Sequence, residues 1–203
     1  MEIKEKKRTT LKEFFTKVFY GDLDKSYIKN NQNISKDANY SVILLVLVSV
    51  GIICASLYIF GFFIDFYKPA QYYYLGGFCA ILILILFSFI YIRKHVDKIP
   101  AFFTVLYSLL ILYSIFGNTY LLPNNNGISF YIYLVIVPPL IFTYPYRHYF
   151  YSLACVAIYI VFLFLFRKTD TVIYRSITDA IGCYFISCVA VYVSTRQKIM
   201  NET

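Results

Sequence analysis

The chain has 203 residues, of which 60% are apolar and only 15% are charged, and its formal net charge is +8 at pH 7. The apolar residues form long blocks and show neither the alternation nor the helical stripes that are typical of soluble proteins, so a soluble globular fold is excluded. Runs such as residues 81–87 also lack the period-two alternation of a barrel strand, so the predicted fold class is an all-α polytopic membrane bundle.

The first 39 residues form a polar arm that is predicted to be cytoplasmic. Thr10 and Glu13 have the spacing of a capping box, and apolar residues then recur at helical intervals. This stripe consists of Leu11, Phe14, Phe15, Val18 and Phe19. It predicts a short amphipathic helix over about residues 10–20, with Phe14, Phe15 and Phe19 in the inner membrane interface. The alternative is that the stripe docks on a partner or on the cytosolic helix ends. Residues 22–39 are predicted to be a linker or a short helix.

Six apolar blocks follow, each close to the roughly 20 residues that a helix needs to cross a bilayer. The predicted transmembrane helices cover residues 40–64, 72–92, 99–117, 128–144, 149–166 and 177–195. Residues 40–195 therefore form the transmembrane domain, and residues 196–203 begin a cytoplasmic signalling helix or tail.

The orientation is predicted from the distribution of Lys and Arg among the connections. Fifteen of them fall on the side of the two termini and four on the opposite side. The positive-inside rule therefore predicts that both termini are cytoplasmic. The predicted localisation is the plasma membrane, which the chain crosses several times. The basic residues, Arg147 among them, are interpreted as contacts with the lipid surface, and no nucleic-acid partner is expected.

The 22 tyrosines are expected to anchor the helices at the interfaces, because the chain has no Trp. The run Tyr72, Tyr73 and Tyr74 is interpreted as such a belt rather than as a ligand platform. His95 and His148 are predicted to lie in cytoplasmic surface loops.

Ionisable groups at membrane depth usually mark function, and Asp179 is the candidate that this sequence offers. It is either a ligand or switch residue, or an acid in the first turn of a helix that begins around residues 175–178. The five cysteines have no metal-ligand spacing, and no nucleophile, phosphate-loop or dinucleotide motif occurs. No enzyme activity, metal or cofactor is predicted for these residues.

Two irregular features mark the predicted fourth helix and the loop before it. Pro138 and Pro139 should kink or break the helix, which either opens a cavity or only shapes the packing. The loop over residues 118–127 is predicted to be a turn-rich cap on the outer face. Its candidate ligand contacts are Asn118, Asn124, Asn125 and Asn126.

The fourth predicted helix ends in Pro139-Leu-Ile-Phe142, and Pro145-Tyr-Arg147 follows two residues later. This pattern resembles the six-helix sensor region in front of GGDEF domains in Firmicute diguanylate cyclases. Three further features are similar to that sensor region: Asp179 near the start of the last helix, the exit over residues 195–202 and the opening segment 19–24. The resemblance implies a membrane sensor that forms a homodimer. No GGDEF sequence occurs within these 203 residues, so this chain alone is not expected to make cyclic di-GMP.

The first functional hypothesis is a sensory input module. A small ligand, the lipid state or a membrane protein would act near the outer half of the bundle, and the last helix would relay the change to the cytoplasm through Arg196 and Lys198. The alternative is a substrate-binding subunit or a small transporter, which uptake measurements would distinguish. A third possibility is an accessory subunit.

Overall fold

The computed structural model describes residue 18 and residues 32–95, 98–122, 127–140, 145–166 and 169–202. These residues form six α-helices of 13 residues or more and contain no strand. The helices are α1 (Gln32–Phe60), α2 (Gln71–Ile90), α3 (Ile99–Phe116), α4 (Ile128–Leu140), α5 (Pro145–Phe166) and α6 (Asp170–Glu202). Short 3-10 turns cover Lys68–Ala70 and Ile92–Lys94, and a π-helical turn, Gly117–Leu121, continues α3.

Among the described residues, five helices are long and apolar enough to cross a membrane, which indicates a multi-pass membrane protein. The exception is α4, whose described part has 13 residues. At 1.5 Å per residue it is about 20 Å long, shorter than the roughly 30 Å of a hydrocarbon core. The predicted all-α membrane fold is therefore confirmed at this level.

The predicted helix boundaries differ from the observed ones mainly at the polar ends. α1 begins at Gln32, inside the segment that is predicted to be a linker or a short helix. α6 runs from Asp170 to Glu202, well beyond the predicted residues 177–195 at both ends. Polar residues can extend these helices because each residue added to a nucleated helix gains one backbone hydrogen bond. Hydropathy does not measure this contribution, so it does not predict the extensions.

Contacts between the helices show that successive helices alternate in direction. Gly51 of α1 faces Ile81 of α2, and further along Gln71 donates a hydrogen bond to the Tyr58 carbonyl oxygen, so these two helices are antiparallel. α4 and α6 are parallel, because Ser187 reaches Leu134 and Ser194 reaches Pro139. Following the predicted orientation, the end of the bundle with Phe60 and Asp170 is called the outer end, and the opposite end the inner end.

α4 begins below the outer end of its neighbours. Tyr120 contacts Phe166 at the end of α5, with ring centroids 5.5 Å apart, whereas Phe130 stacks on Tyr159 at 4.2 Å. Tyr159 lies about two turns before Phe166. α4 therefore starts deeper in the bundle than the outer ends of α3 and α5, which explains how so short a helix still reaches the level of Ser194 near the inner end.

The packed core is centred on α3, whose inward residues Leu106, Ile111 and Ile115 are almost completely buried. Leu134 and Leu163 join it from α4 and α5. The outward residues of the bundle are large and apolar, as expected for a surface in contact with lipid. Since lipid is as apolar as these side chains, the association of the helices depends on close packing and on hydrogen bonds between them.

Candidate functional site: a tyrosine-lined cavity

A cavity of about 230 Å³ lies among α1, α2, α3 and α4 in the outer half of the bundle. Its lining combines phenol rings, aliphatic side chains and short polar groups, and the described residues that form it include no charged side chain. They are Ile53, Cys54, Leu57, Phe66, Tyr67, Tyr73, Tyr74, Tyr113, Ser114, Gly117, Asn118, Ile128, Ser129, Ile132 and Tyr133. The cavity is therefore suited to a small neutral group.

One wall of this cavity is a reciprocal tyrosine pair. The rings of Tyr73 on α2 and Tyr113 on α3 stack with centroids 4.1 Å apart and planes 8° apart. The Tyr73 hydroxyl donates to the Tyr113 carbonyl oxygen, and the Tyr113 hydroxyl donates back to the Tyr73 carbonyl oxygen at 3.2 Å. Stacking and two hydrogen bonds thus join α2 to α3 at their outer ends.

Two glycines make room for this pair. Gly77 lies one turn after Tyr73, and Gly117 lies one turn after Tyr113. A Cβ on Gly117 would lie 2.8 Å from the Tyr73 hydroxyl oxygen, and a Cβ on Gly77 would overlap the Tyr113 hydroxyl oxygen. Each tyrosine therefore lies over the glycine of the other helix.

Two further tyrosines offer hydrogen-bond donors to the cavity. Tyr74 is 8% exposed and Tyr133 is 7% exposed, and both line the cavity. Within the described part of the chain, neither hydroxyl has a hydrogen-bond partner. Each hydroxyl can therefore donate a hydrogen bond to an acceptor atom of a ligand in the cavity.

Asn118 lies in the cavity wall and not in a cap over the outer face. It is 2% exposed, and its Nδ2 donates to the Ser114 carbonyl oxygen at 2.7 Å and to the Ser129 hydroxyl oxygen at 2.8 Å. The prediction that the segment after α3 is an exposed polar cap is therefore wrong at Asn118 and at the fully buried Thr119. The π-helical turn turns these two side chains inward. Asn124, Asn125 and Asn126 lie outside the described residues.

A second cavity of about 290 Å³ lies next to the first, towards the middle of the bundle. It shares Cys54 and Tyr113 with the first cavity, and the Cys54 sulfur lies 3.9 Å from the Tyr113 hydroxyl oxygen. Otherwise it is lined by aliphatic residues and glycine. These residues are Val50, Gly77, Ala80, Ile81, Leu84, Leu106, Leu109, Leu110 and Leu112.

Pro138 and Pro139 lie at the inner end of α4, far from the cavity. They occupy the last described turn of α4, and residues 141–144 lie outside the described residues, so the predicted kink or break stays a prediction. Because Pro138 has no amide proton, the carbonyl oxygen of Leu134 lacks its usual helical donor. The Ser187 hydroxyl donates to that oxygen at 2.7 Å.

A second serine completes this connection between α4 and α6. The Ser194 hydroxyl donates to the Pro139 carbonyl oxygen at 2.7 Å. Ser187 and Ser194 are seven residues apart, about two helical turns, so they project from the same side of α6. The two bonds attach the inner half of α6 to the backbone of α4.

Asp179 lies on α6, apart from the tyrosine-lined cavity. Since α6 begins at Asp170, Asp179 is in the third turn, and the first-turn interpretation of this residue is wrong. Its carboxylate lies 4.0 Å from the Arg175 guanidinium, and the side chains of Arg175 and Asp179 are 72% and 44% exposed. A pair this exposed contributes little to stability.

The remaining candidate residues lie near the inner end of the bundle. Arg147 is exposed in the first turn of α5, and Arg196 is half-buried on α6. Lys198 lies within the same helix. His148 is in α5 and is 8% exposed, with its ring 6.4 Å from that of Phe103, so the prediction of a surface loop is wrong for it.

Of the predicted amphipathic helix over residues 10–20, only Val18 is among the described residues, and Phe14, Phe15 and Phe19 lie outside them. Val18 is helical, and its carbonyl oxygen accepts a hydrogen bond from the Tyr149 hydroxyl at 3.2 Å. At this residue the arm contacts α5, which favours the interpretation that it docks on the helix ends.

Sequence analysis missed most residues of this site. It assigns Tyr73 and Tyr74 to an interfacial belt, yet only Tyr72 of that run is highly exposed, at 81%. A usable signal is the repeated spacing in which Tyr73 precedes Gly77 and Tyr113 precedes Gly117 by four residues. No family model, curated protein or solved structure matches this chain.

Proposed function

We propose that this protein is a membrane-embedded sensory module in which a ligand in the tyrosine-lined cavity alters the position of α6. The observation that carries the proposal is the double role of α4. Its first residues, Ile128 and Ser129, line the cavity, and its last residues accept the hydrogen bonds from α6. A change in the cavity therefore has a short and continuous path to α6 through one helix.

The geometry of α6 supports a role in relay. This helix has 33 residues, which corresponds to about 50 Å, and it passes through Arg196 to Glu202 without a break. A helix of this length transmits a displacement over the whole depth of a bilayer, provided that two arrangements of the bundle differ in ligand affinity. In the proposed orientation both termini are cytoplasmic, and Arg196 and Lys198 carry the change out of the membrane.

The proposal is tested by measuring the distance between two spin labels, one at Arg93 in the turn after α2 and one at Gln197 on α6. Both positions are exposed, and labels on unnatural amino acids leave the five cysteines in place. We expect Ser129→Leu, which fills the cavity and removes an acceptor of Asn118, to shift the distance by about 1–2 Å. Ser49→Leu, on the exposed side of α1, is the matched control.

The sensor proposal fails if the folded Ser129→Leu protein gives the same distance distribution as the wild type and the Ser49→Leu control. The resemblance to sensor regions of diguanylate cyclases suggests an output domain of that type. The coding sequence beyond Thr203 tests this suggestion, because an in-frame GGDEF domain would identify the output.

The cavity also suits the second candidate, a substrate-binding subunit or small transporter. Transporters commonly hold their substrate near the middle of the membrane between broken helices, and α4 is short and begins below the outer end. Accumulation of a labelled small molecule in cells that express the chain distinguishes the two. Robust uptake that Ser129→Leu abolishes would replace the sensor proposal with transport.

A further inference from the structure

The two cavities adjoin at Cys54 and Tyr113, and their linings differ chemically. The outer part has phenol, hydroxyl and amide groups, whereas the inner part is almost purely hydrocarbon. Tyr113 and Cys54 line both parts. Each cavity alone is below the roughly 300 Å³ at which ligand pockets usually begin, and together they exceed it. The shape and polarity match a molecule with a small polar head and a hydrocarbon chain.

The hydrocarbon part of the site is accessible from the side of the bundle. α2 packs along α1 but meets α3 mainly through side chains near its two ends. At the outer end these are the stacked tyrosines, and at the inner end Phe87 and Phe102, with ring centroids 5.8 Å apart. Between them, Leu109 and Leu112 line the cleft and are 47% and 45% exposed. A hydrocarbon chain can therefore enter directly from the lipid.

The polar part of the site specifies a neutral head with an acceptor atom. No charged side chain lines either cavity within the described residues, so an ionic head would be desolvated there without a counter-charge. Tyr74 and Tyr133 are 8% and 7% exposed as whole residues and line the outer cavity, and no hydrogen bond of their hydroxyls is seen within the described part of the chain. Both can donate to a carbonyl or ester oxygen.

We propose that the cleft between α2 and α3 binds a neutral single-chain amphiphile. Its hydrocarbon chain lies against Ala80, Leu109 and Leu112, and its head accepts hydrogen bonds from Tyr74 and Tyr133. This inference names the ligand class of the cavity used in the proposed function and so rests on that site, but its test measures binding and does not require α6 to move.

The absence of tryptophan gives the experiment a clean signal, since a single introduced indole is the only one in the protein. Leu112→Trp places it in the cleft, and Ile52→Trp places it on the exposed side of α1, outside both cavities. The probe is monostearoylglycerol brominated on its chain, because bromine quenches indole fluorescence on contact. The ionised brominated stearate at pH 8 is the charged comparison.

We expect the neutral probe to quench the Leu112→Trp indole saturably at mole fractions where the Ile52→Trp indole shows only weak, linear quenching. Ala80→Phe should abolish the saturable part, whereas Ala101→Phe, on an exposed part of α3 outside the cleft, should leave it unchanged. The double variant Tyr74→Phe/Tyr133→Phe should weaken apparent binding about tenfold, and Tyr72→Phe should not.

Two results would overturn the proposal. One is equal quenching of the two indoles, and the other is binding of the ionised stearate as tight as that of the neutral ester. Mass spectrometry of the protein extracted without added lipid identifies the source of the bound amphiphile. A retained neutral amphiphile points to a resident lipid, and an empty protein that binds the added ester points to a ligand from outside. Retention of a charged lipid in the cleft would contradict the proposal.

The same samples separate this inference from the sensor function. If the neutral probe binds while the distance between labels at Arg93 and Gln197 stays constant, the ligand class stands and the sensor function fails. If Ser129→Leu shifts that distance but no neutral amphiphile binds, the sensor function stands and the ligand class is wrong.

Discussion

The side chains of Tyr73 and Tyr113 depend on each other through two glycines. Each hydroxyl binds the backbone at the other tyrosine and lies over the glycine one turn further on. Small residues at helix interfaces allow such close approach, and in lipid this packing replaces the hydrophobic effect as a source of association. The pair is therefore both a wall of the cavity and a main contact between α2 and α3.

Gly77→Ala is expected to destabilise the protein by about 1–3 kcal/mol, because the new methyl group would overlap the Tyr113 hydroxyl. Gly117→Ala should have a similar effect through Tyr73. The free energy of unfolding in mixed micelles measures both. Gly76→Ala is the matched control, since nothing lies within 4 Å of a Cβ there.

The double variant Gly77→Ala/Tyr113→Phe checks the cause of this loss. Removal of the hydroxyl removes the nearest atom, so Tyr113→Phe should cost less in the Gly77→Ala background than in the wild type. Additive costs, or a loss in Gly76→Ala as large as in Gly77→Ala, would contradict the steric explanation.

At this scale the sequence predicted residue types well and their orientation poorly. Hydropathy places Tyr73, Tyr74 and Tyr113 in apolar blocks, but an amphipathic ring is equally at home at a lipid interface and inside a polar cavity. Whether a tyrosine of α2 lies at the lipid interface or in the cavity depends on which side of α2 faces α3. That side is decided by packing between helices distant in sequence, where single-sequence patterns carry little information.

At the scale of elements, the end of α4 shows how a proline pair can be accommodated. The lost helical bond at Pro138 is replaced by a bond from a neighbouring helix, as is common where proline occurs in membrane helices. The sequence predicts a kink or break of the helix at Pro138 and Pro139, which stays a prediction because residues 141–144 lie outside the described part of the chain. It did not identify Ser187 as the compensating donor, because a serine in an apolar helix has many possible acceptors.

Ser187→Ala is expected to cost about 1 kcal/mol of unfolding free energy, since it leaves the Leu134 carbonyl oxygen without a donor. Pro138→Ala restores an amide proton at the right position and should recover much of that loss in the double variant. The free energies of unfolding of the wild type, the two single variants and the double variant in mixed micelles give the coupling energy between Ser187 and Pro138.

Ser194→Ala provides the comparison for this cycle. Its hydroxyl binds the Pro139 carbonyl oxygen, which an amide proton at position 138 cannot reach, so Pro138→Ala should give no rescue there. Equal rescue of both serine variants would show that Pro138→Ala acts by a general gain in helix stability.

For the whole molecule, the number of crossings and the side of each terminus are linked. Five of the helices are long enough to span by themselves, and an odd number of crossings would place the termini on opposite sides. The parallel course of α4 and α6 agrees with six crossings. Labelling from one side of the membrane decides between these arrangements.

Single cysteines at Lys68 and Lys94 test the orientation, since both positions are exposed on opposite ends of α2. In a background without the five native cysteines, an impermeant maleimide added to intact cells should label Lys68→Cys but not Lys94→Cys. Permeabilised cells provide the control for accessibility. The reverse pattern would invert the proposed orientation.

Cysteines at Arg147 and Gln197 test whether α4 completes a crossing. Both residues are exposed, at the start of α5 and near the inner end of α6. Six crossings predict that both are protected in intact cells, as Lys94→Cys is. Labelling of either one in intact cells would show that α4 does not bring the chain across.

Hydropathy was most informative at this largest scale, because the length and composition of the apolar blocks follow directly from bilayer thickness. Three of the six blocks match helices of sufficient length within four residues at each end. The low start of α4 was not predictable in this way. It depends on Phe130 stacking on Tyr159, and a contact between helices leaves no mark on local hydropathy.

The two serine bonds between α4 and α6 also limit the degrees of freedom of the bundle. Seven residues on an α-helix turn through nearly two full revolutions, with a remainder of about 20°, so Ser187 and Ser194 point in almost the same direction. Rotation of α6 alone about its axis would break both bonds together, whereas joint displacement of α4 and α6 preserves them. The least costly motion is therefore that of a rigid two-helix body sliding or tilting against α1, α2, α3 and α5, the last of which also packs on α6.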